Sequence, residues 1–234
     1  MIRKIFILTF VYFVHIAPSM SSVTINQTRV VFNEDDRVAT ITLNSNNENS
    51  SLIQLWIDNG ELDTEPSMID VPFIINPQIK ELKPKQAQVV KIKYVGDTVL
   101  KNEGLYWLNL LEVPKKVESG KNYIQLAYRT RIKLFYRPDH LSELSQSKSS
   151  EDLDFVLLND TIKIKNKSPF HITLTEIKKE DGEDYKTIEN SSLMIPPNSS
   201  QEISVDKGSD FRKIKYTYIN DWGGKKEVVK TLAN

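Results

Sequence analysis

The chain is patterned in twos. Ala39-Thr40-Ile41-Thr42-Leu43, Val90-Lys91-Ile92-Lys93-Tyr94, Ile124-Gln125-Leu126-Ala127-Tyr128 and Ile162-Lys163-Ile164-Lys165 each place large apolar residues at every second position. That period sends one set of side chains to one face of a strand and the rest to the other. Turn-formers punctuate the runs: Asn44 to Asn49, Lys83-Pro84-Lys85, Glu118-Ser119-Gly120, Asp181-Gly182 and Pro196-Pro197-Asn198. No long segment carries helical spacing. Short strands at regular intervals predict an all-β protein of antiparallel sandwiches. One stretch breaks the pattern. Asp139 to Asp152 is polar and poor in aromatics, and Arg137-Pro138 closes the strand before it. We expect a linker over 139–150, with a short helical turn at Leu141 to Leu144. Residues 22–138 and 151–234 then form two sandwiches.

The longest strand-like run is Tyr123 to Pro138, reading YIQLAYRTRIKLFYRP. At 16 residues it exceeds the usual strand of roughly 5–6, and one small sandwich cannot bury all of it. Lys133 has the opposite parity to Ile124, Leu126 and Tyr128. Either the strand bulges between its halves or the two halves serve different faces. The run reads as a core strand with a long exposed end, or as an edge strand that pairs with another chain.

The N-terminus bears on location. Arg3 and Lys4 precede an apolar run from Ile5 to Ile16, and Ala17-Pro18-Ser19-Met20-Ser21-Ser22 follows with small residues. That three-part pattern is a secretory signal over residues 1–21, shorter than the ~20 apolar residues of a membrane-spanning helix. The mature chain is expected to be soluble and exported. The full sequence holds 31 basic and 31 acidic residues, so no global field draws the protein to nucleic acid. Cysteine is absent, which excludes disulfides and thiolate metal sites. Of three histidines, His15 lies in the signal, His140 in the linker and His171 in a strand. No nucleophile elbow or glycine-rich phosphate loop is present, and acidic pairs fall in turns. The sequence offers no enzyme site, metal, cofactor or small-molecule substrate.

Four segments resemble the PapD-type periplasmic pilus chaperones of the chaperone–usher pathway. They are Asn26-Gln27-Thr28-Arg29-Val30-Val31-Phe32, Leu105-Tyr106-Trp107-Leu108-Asn109-Leu110-Leu111-Glu112-Val113-Pro114, Ile132-Lys133-Leu134-Phe135-Tyr136-Arg137-Pro138 and Tyr218-Ile219-Asn220-Asp221-Trp222-Gly223-Gly224. The resemblance spans nearly the whole mature chain. It implies two immunoglobulin-like domains set at an angle, with a cleft between them. It implies that Arg29 and Lys133 hold the C-terminal carboxylate of a pilus subunit. It implies a donor strand whose Ile124, Leu126 and Tyr128 complete the subunit's open fold, and an interdomain salt bridge of Glu103, Arg137 and Asp221. The partners implied are pilus subunits and an outer-membrane usher, in the periplasm. Two features depart from the pattern: Tyr128 is bulkier than the aliphatic residue expected there, and the second domain lacks the disulfide of some members. The short link from Pro114 to Tyr123 resembles the branch that builds rod pili. A rival reading is a secreted immunoglobulin-like adhesive or binding module, which explains the fold and the export but not the paired cations.

Overall fold

The computed structural model describes residues 22–97, 99–115 and 124–232; the signal over 1–21 and the expected turn at 118–120 lie outside them. The chain is all-β, in two immunoglobulin-like sandwiches with separate cores. The first packs a four-stranded sheet against a five-stranded one. The four-stranded sheet runs β1 (Val23–Ile25), β3 (Ala39–Ser45), β7 (Ala87–Tyr94), β5 (Phe73–Asn76). The five-stranded sheet runs β2 (Arg29–Asn33), β9 (Tyr128–Arg137), β8 (Gly104–Pro114), β4 (Ser51–Asp58), β6 (Ile79–Leu82). Alternation does the sorting. Ile41, Leu43, Val90 and Ile92 face Ile53, Leu55, Leu108 and Leu134 across a fully buried core. An aromatic cluster of Phe32, Phe73, Tyr94 and Tyr136 closes one end, with Tyr94 and Tyr136 stacked at 4.1 Å between ring centroids.

The first strand departs from the sequence reading. The run read over 26–32 is a crossing followed by one strand: β1 ends at Ile25 in one sheet, and β2 starts at Arg29 in the other. The chain crosses between them at Asn26 to Thr28, where Asn26 exchanges 3.1 Å hydrogen bonds with the Thr42 backbone instead of continuing a ladder. After the crossing, β2 lies parallel to β9, with Arg29 opposite Lys133 and Asn33 opposite Arg137.

The long strand also differs in extent. β9 starts at Tyr128, not Tyr123, and Ile124 to Ala127 lie outside any ladder. The β8–β9 register places Pro114, which has no N–H to give, beyond the last paired residues Glu112 and Tyr128. Between Tyr128 and Tyr136 that register is continuous. There is no bulge, and the two parities serve different faces. Ile132, Leu134 and Tyr136 turn to the core, while Arg129, Arg131, Lys133, Phe135 and Arg137 occupy the outer face.

The second sandwich holds β10 (Asp154–Leu158), β11 (Thr161–Asn166) and β15 (Ser199–Ser204) in one sheet. The other contains β12 (Ile172–Asp181), β13 (Asp184–Thr187), β14 (Leu193–Ile195), β16 (Lys213–Ile219) and β17 (Lys225–Thr231). Its core is Phe155, Ile162, Ile164, Leu174, Ile214 and Tyr216 with their neighbours. The connecting segment is more ordered than a plain linker. A 3-10 turn spans Asp139–Leu141 with Leu141 buried, and an α-helix spans Gln146–Glu151, capped by the Ser145 side chain. The helix docks because Tyr216 donates to the Ser150 carbonyl at 2.8 Å and Tyr218 to the Glu151 carboxylate at 2.9 Å. Polar composition alone hid those tyrosine partners.

Candidate functional site

The outer face of β9 is a column of charge. Its first feature is an unpaired edge. β8 covers β9 from Tyr128 to Tyr136, but β2 covers only Lys133 to Arg137 on the other side. Backbone groups of Tyr128 to Ile132 on that side have no partner strand among the described residues. Edges of this kind invite another chain. Just before them, Ile124 is 87% exposed, Leu126 56% and Tyr128 55%. Three large side chains, mostly apolar, are thus left in water beside an open edge.

The second feature sits where that edge ends. Arg29, the first residue of β2, lies beside Lys133. Arg29 is buried, its Nε lacks a hydrogen-bond partner, and its guanidinium stands 5.7 Å from the Phe135 ring. Lys133 donates to the Thr173 hydroxyl at 3.2 Å and lies 5.9 Å from the Trp107 ring centroid. Neither cation has an ion-pair partner among the described residues. Burial, with the like charge of Arg29 added, pushes the Lys133 ammonium down to about 8. Burial also lowers the Arg29 pKa, against a weaker opposing pull from Asp221 and Glu103. Two partly desolvated like charges side by side are unfavourable alone and need an anion.

The third feature joins the domains. Arg137 donates from Nε and Nη2 to Glu103 at 3.2 and 2.9 Å, and from Nη1 and Nη2 to Asp221 at 2.9 and 3.0 Å. The free Glu103 oxygen accepts from the His171 backbone N–H at 2.9 Å, and the Glu103 N–H donates to the Pro169 carbonyl at 2.9 Å. Their hydrogen bonds hold the Arg137 pKa above its ordinary value despite the burial. Local structure fixes both sides. Asn166 ties down the 167–171 loop through the Phe170 and Pro196 carbonyls. Asn220 caps the β16–β17 turn by accepting from Trp222 and Gly224 N–H groups. Gly223 sits in that turn at φ +79°, and a β-carbon there would fall 2.3 Å from the Thr28 hydroxyl. The turn therefore presses directly on the residue before Arg29, which only glycine permits.

The structure thus brings together Arg29 with Lys133, and Glu103 with Arg137 and Asp221. It sets Ile124, Leu126 and Tyr128 at the head of the open edge. The sequence reading missed Thr173, His171, Trp107 as a wall beside Lys133, and the buried Asp58. Parity was the available signal for the last two. Gln54, Trp56 and Asp58 alternate with core residues Ile53, Leu55 and Ile57, as Trp107 and Asn109 do with Leu108 and Leu110.

The fold and site thus define a two-domain β-sandwich protein with an open strand edge that ends on two cations without an ion-pair partner, beside the domain junction. Comparison with known proteins places it further. The family described as "Pili and flagellar-assembly chaperone, PapD N-terminal domain" matches residues 22–142, and "Pili assembly chaperone PapD, C-terminal domain" matches residues 148–230. The chain is 31% identical over 232 residues to the chaperone protein MrkB of Klebsiella pneumoniae, covering 96% of this chain and 97% of that one. Among solved structures, the Pseudomonas aeruginosa CupB2 chaperone superposes with a TM-score of 0.77 at 26% identity, covering 90% of this chain and all of the other. The YadV chaperone of Escherichia coli gives 0.74 at 30%, covering 91% of this chain and all of the other. The chain belongs to the PapD family of pili assembly chaperones.

Proposed function

We propose that this chaperone captures pilus subunits in the periplasm by lending them the Ile124–Ile132 segment, and passes them to an outer-membrane usher. The observation that carries the reading is the open β9 edge running into Arg29 and Lys133. A subunit strand added there lies in line with β2, parallel to β9, and its C-terminal carboxylate meets the two cations. Ile124, Leu126 and Tyr128 fill the groove left by the subunit's missing strand. The carboxylate answers both the charge and the forked geometry of the site. Glu103, Arg137 and Asp221 hold the second domain against this junction. Residues 1–21 serve as the export signal, and 139–150 join the domains 22–138 and 151–234. The work is binding, not catalysis.

The test uses a synthetic peptide carrying the C-terminal strand of a pilus subunit from the same organism, as free acid and as amide. Removing the charge should weaken binding by about tenfold or more. Equal affinity for acid and amide would overturn the reading.

A further inference from the structure

The outer face of β9 carries more cations than a single carboxylate can use. Arg129, Arg131, Lys133 and Arg137 project from it, spaced by two residues except where Phe135 intervenes, with Arg29 beside them. Glu103 and Asp221 occupy Arg137. At the other end stands Asp58, fully buried at the end of β4. One of its oxygens pairs with Arg131 and accepts from the Gly60 N–H at 2.8 Å. The other accepts from Asn109 at 2.7 Å and lies 3.6 Å from Arg129. Asn109 in turn accepts two hydrogen bonds from Arg129, at 3.0 and 2.9 Å. Rings separate the layers: Arg131 lies 4.4 Å from the Trp107 centroid and Arg129 4.9 Å from that of Trp56. Across one rung of the sheet the order is Asp58, Trp107, Lys133, Arg29. Trp107 thus stands between the acid and the two unpaired cations.

This arrangement addresses a specific error. A captured strand that slips by one residue turns its side chains to the wrong face and is rejected by packing. A slip of two residues, ~6.6 Å along the strand, keeps the alternation. Packing period alone does not exclude it. Such a slip brings the C-terminal carboxylate from Lys133 to Arg131. We propose that Asp58 sets the register of the captured strand, by neutralising Arg129 and Arg131 so that Arg29 and Lys133 are the cations of this face left without an ion-pair partner to take a carboxylate. This rests on the carboxylate-anchor reading above and names the residue that makes the anchor selective. Asp58 acts through the arginines and is a positioning residue.

The experiment compares two free-acid peptides: the C-terminal strand of a pilus subunit from the same organism, and the same peptide lacking its last two residues. Wild type should prefer the full-length peptide by about tenfold or more. Asp58→Asn frees Arg131, so the shortened peptide gains affinity and the preference falls to within a few-fold. Asp58→Asn/Arg131→Gln should lose that gain. A gain of binding is not a result that loss of structure can give. A folded Asp58→Asn protein with wild-type preference would overturn the proposal. Lys133→Ala gives a second arm that does not depend on how Asp58→Asn folds. With Asp58 intact, Lys133→Ala should bind neither peptide well; strong binding of the shortened one would show Arg131 free all along and overturn the proposal. The amide control separates this from failure of the anchor itself, since it reports on Arg29 and Lys133 whatever Asp58 does.

Discussion

Lys133→Met should make the free chaperone more stable while disabling it. Lys133 is charged at neutral pH although burial and Arg29 have pushed its pKa from 10.5 to about 8. A folded pKa below the unfolded value means that the unfolded chain binds the proton more tightly. The charge therefore costs stability, by at most about 3 kcal/mol for a shift of that size. Partial solvent access and the hydrogen bond to Thr173 reduce this to roughly 1–2 kcal/mol. Methionine keeps an apolar stem of similar length and removes both the desolvation and the repulsion of Arg29. For a domain of this size, Lys133→Met should raise the melting temperature by several degrees at pH 7. The sign has a pH signature. Wild-type stability gains as pH rises from about 8 toward 10.5, where the folded lysine has lost its proton and the unfolded one has not. The gap between variant and wild type should therefore close across that window. The same substitution should weaken capture of a pilus subunit by roughly 2–5 kcal/mol, the cost of breaking a buried charge pair. Calorimetry at pH 7 and pH 10 and a binding titration measure all three. A variant that melts below wild type at pH 7, or that binds its subunit undiminished, would refute the reasoning.

Arg137→Ala strands the buried Glu103 carboxylate beside Asp221 and should cost roughly 3–5 kcal/mol; chemical denaturation that overlays wild type would remove the ion pair from the account of the domain junction. Ile124→Thr with Leu126→Thr should leave melting unchanged, because both side chains are exposed, yet weaken subunit capture by roughly 1.5–3 kcal/mol per residue; undiminished recovery of the one-to-one complex counts against the donor assignment. Capture should also fall as pH rises through about 8, where free Lys133 loses its proton. Lys133→Met should flatten that profile, and an unaltered slope would assign it to another group.

Most of the fold was legible because alternation is a local signal. Ile41 and Leu43, Val90 and Ile92, and Ile162 and Ile164 went to the core as their parity requires. What failed was non-local. Nothing within Asn26 to Thr28 announces a change of sheet; that depends on Thr42 taking up the Asn26 hydrogen bonds. The start of β9 is set by where its ladder with β8 ends, at Glu112 opposite Tyr128, on a strand distant in sequence. The helix over 146–151 depended on hydroxyls of Tyr216 and Tyr218, supplied from the second domain. For the site, resemblance pointed to Arg29, Lys133, Glu103, Arg137 and Asp221, and the contacts among them are geometric facts that no single strand contains. Asp58 escaped notice because an acid at a strand end reads as solvated, and its burial comes from arginines on β9.

The crossing of the first strand is what makes these pieces a single device. Had β2 continued back along β9 to Tyr128, the edge would be closed by the protein's own chain. Because the chain leaves for the opposite sheet before Arg29, β2 occupies β9 only from Lys133 onward. One backbone decision therefore opens five residues of edge and places a cation at its end. It also brings Thr28 under Gly223, so the second domain is seated at the same point. The cations are poorly compensated in the free protein, and the exposed Ile124 and Leu126 are costly in water. On the function proposed above, both deficits are relieved by the same ligand, a chain that presents an apolar groove and ends in a carboxylate. A strand with the wrong end leaves Arg29 and Lys133 unpaired, and a chain without the groove leaves the apolar residues wet. On that proposal, selectivity for an unassembled subunit, over finished proteins and over stray peptides, follows from requiring both at one fixed spacing.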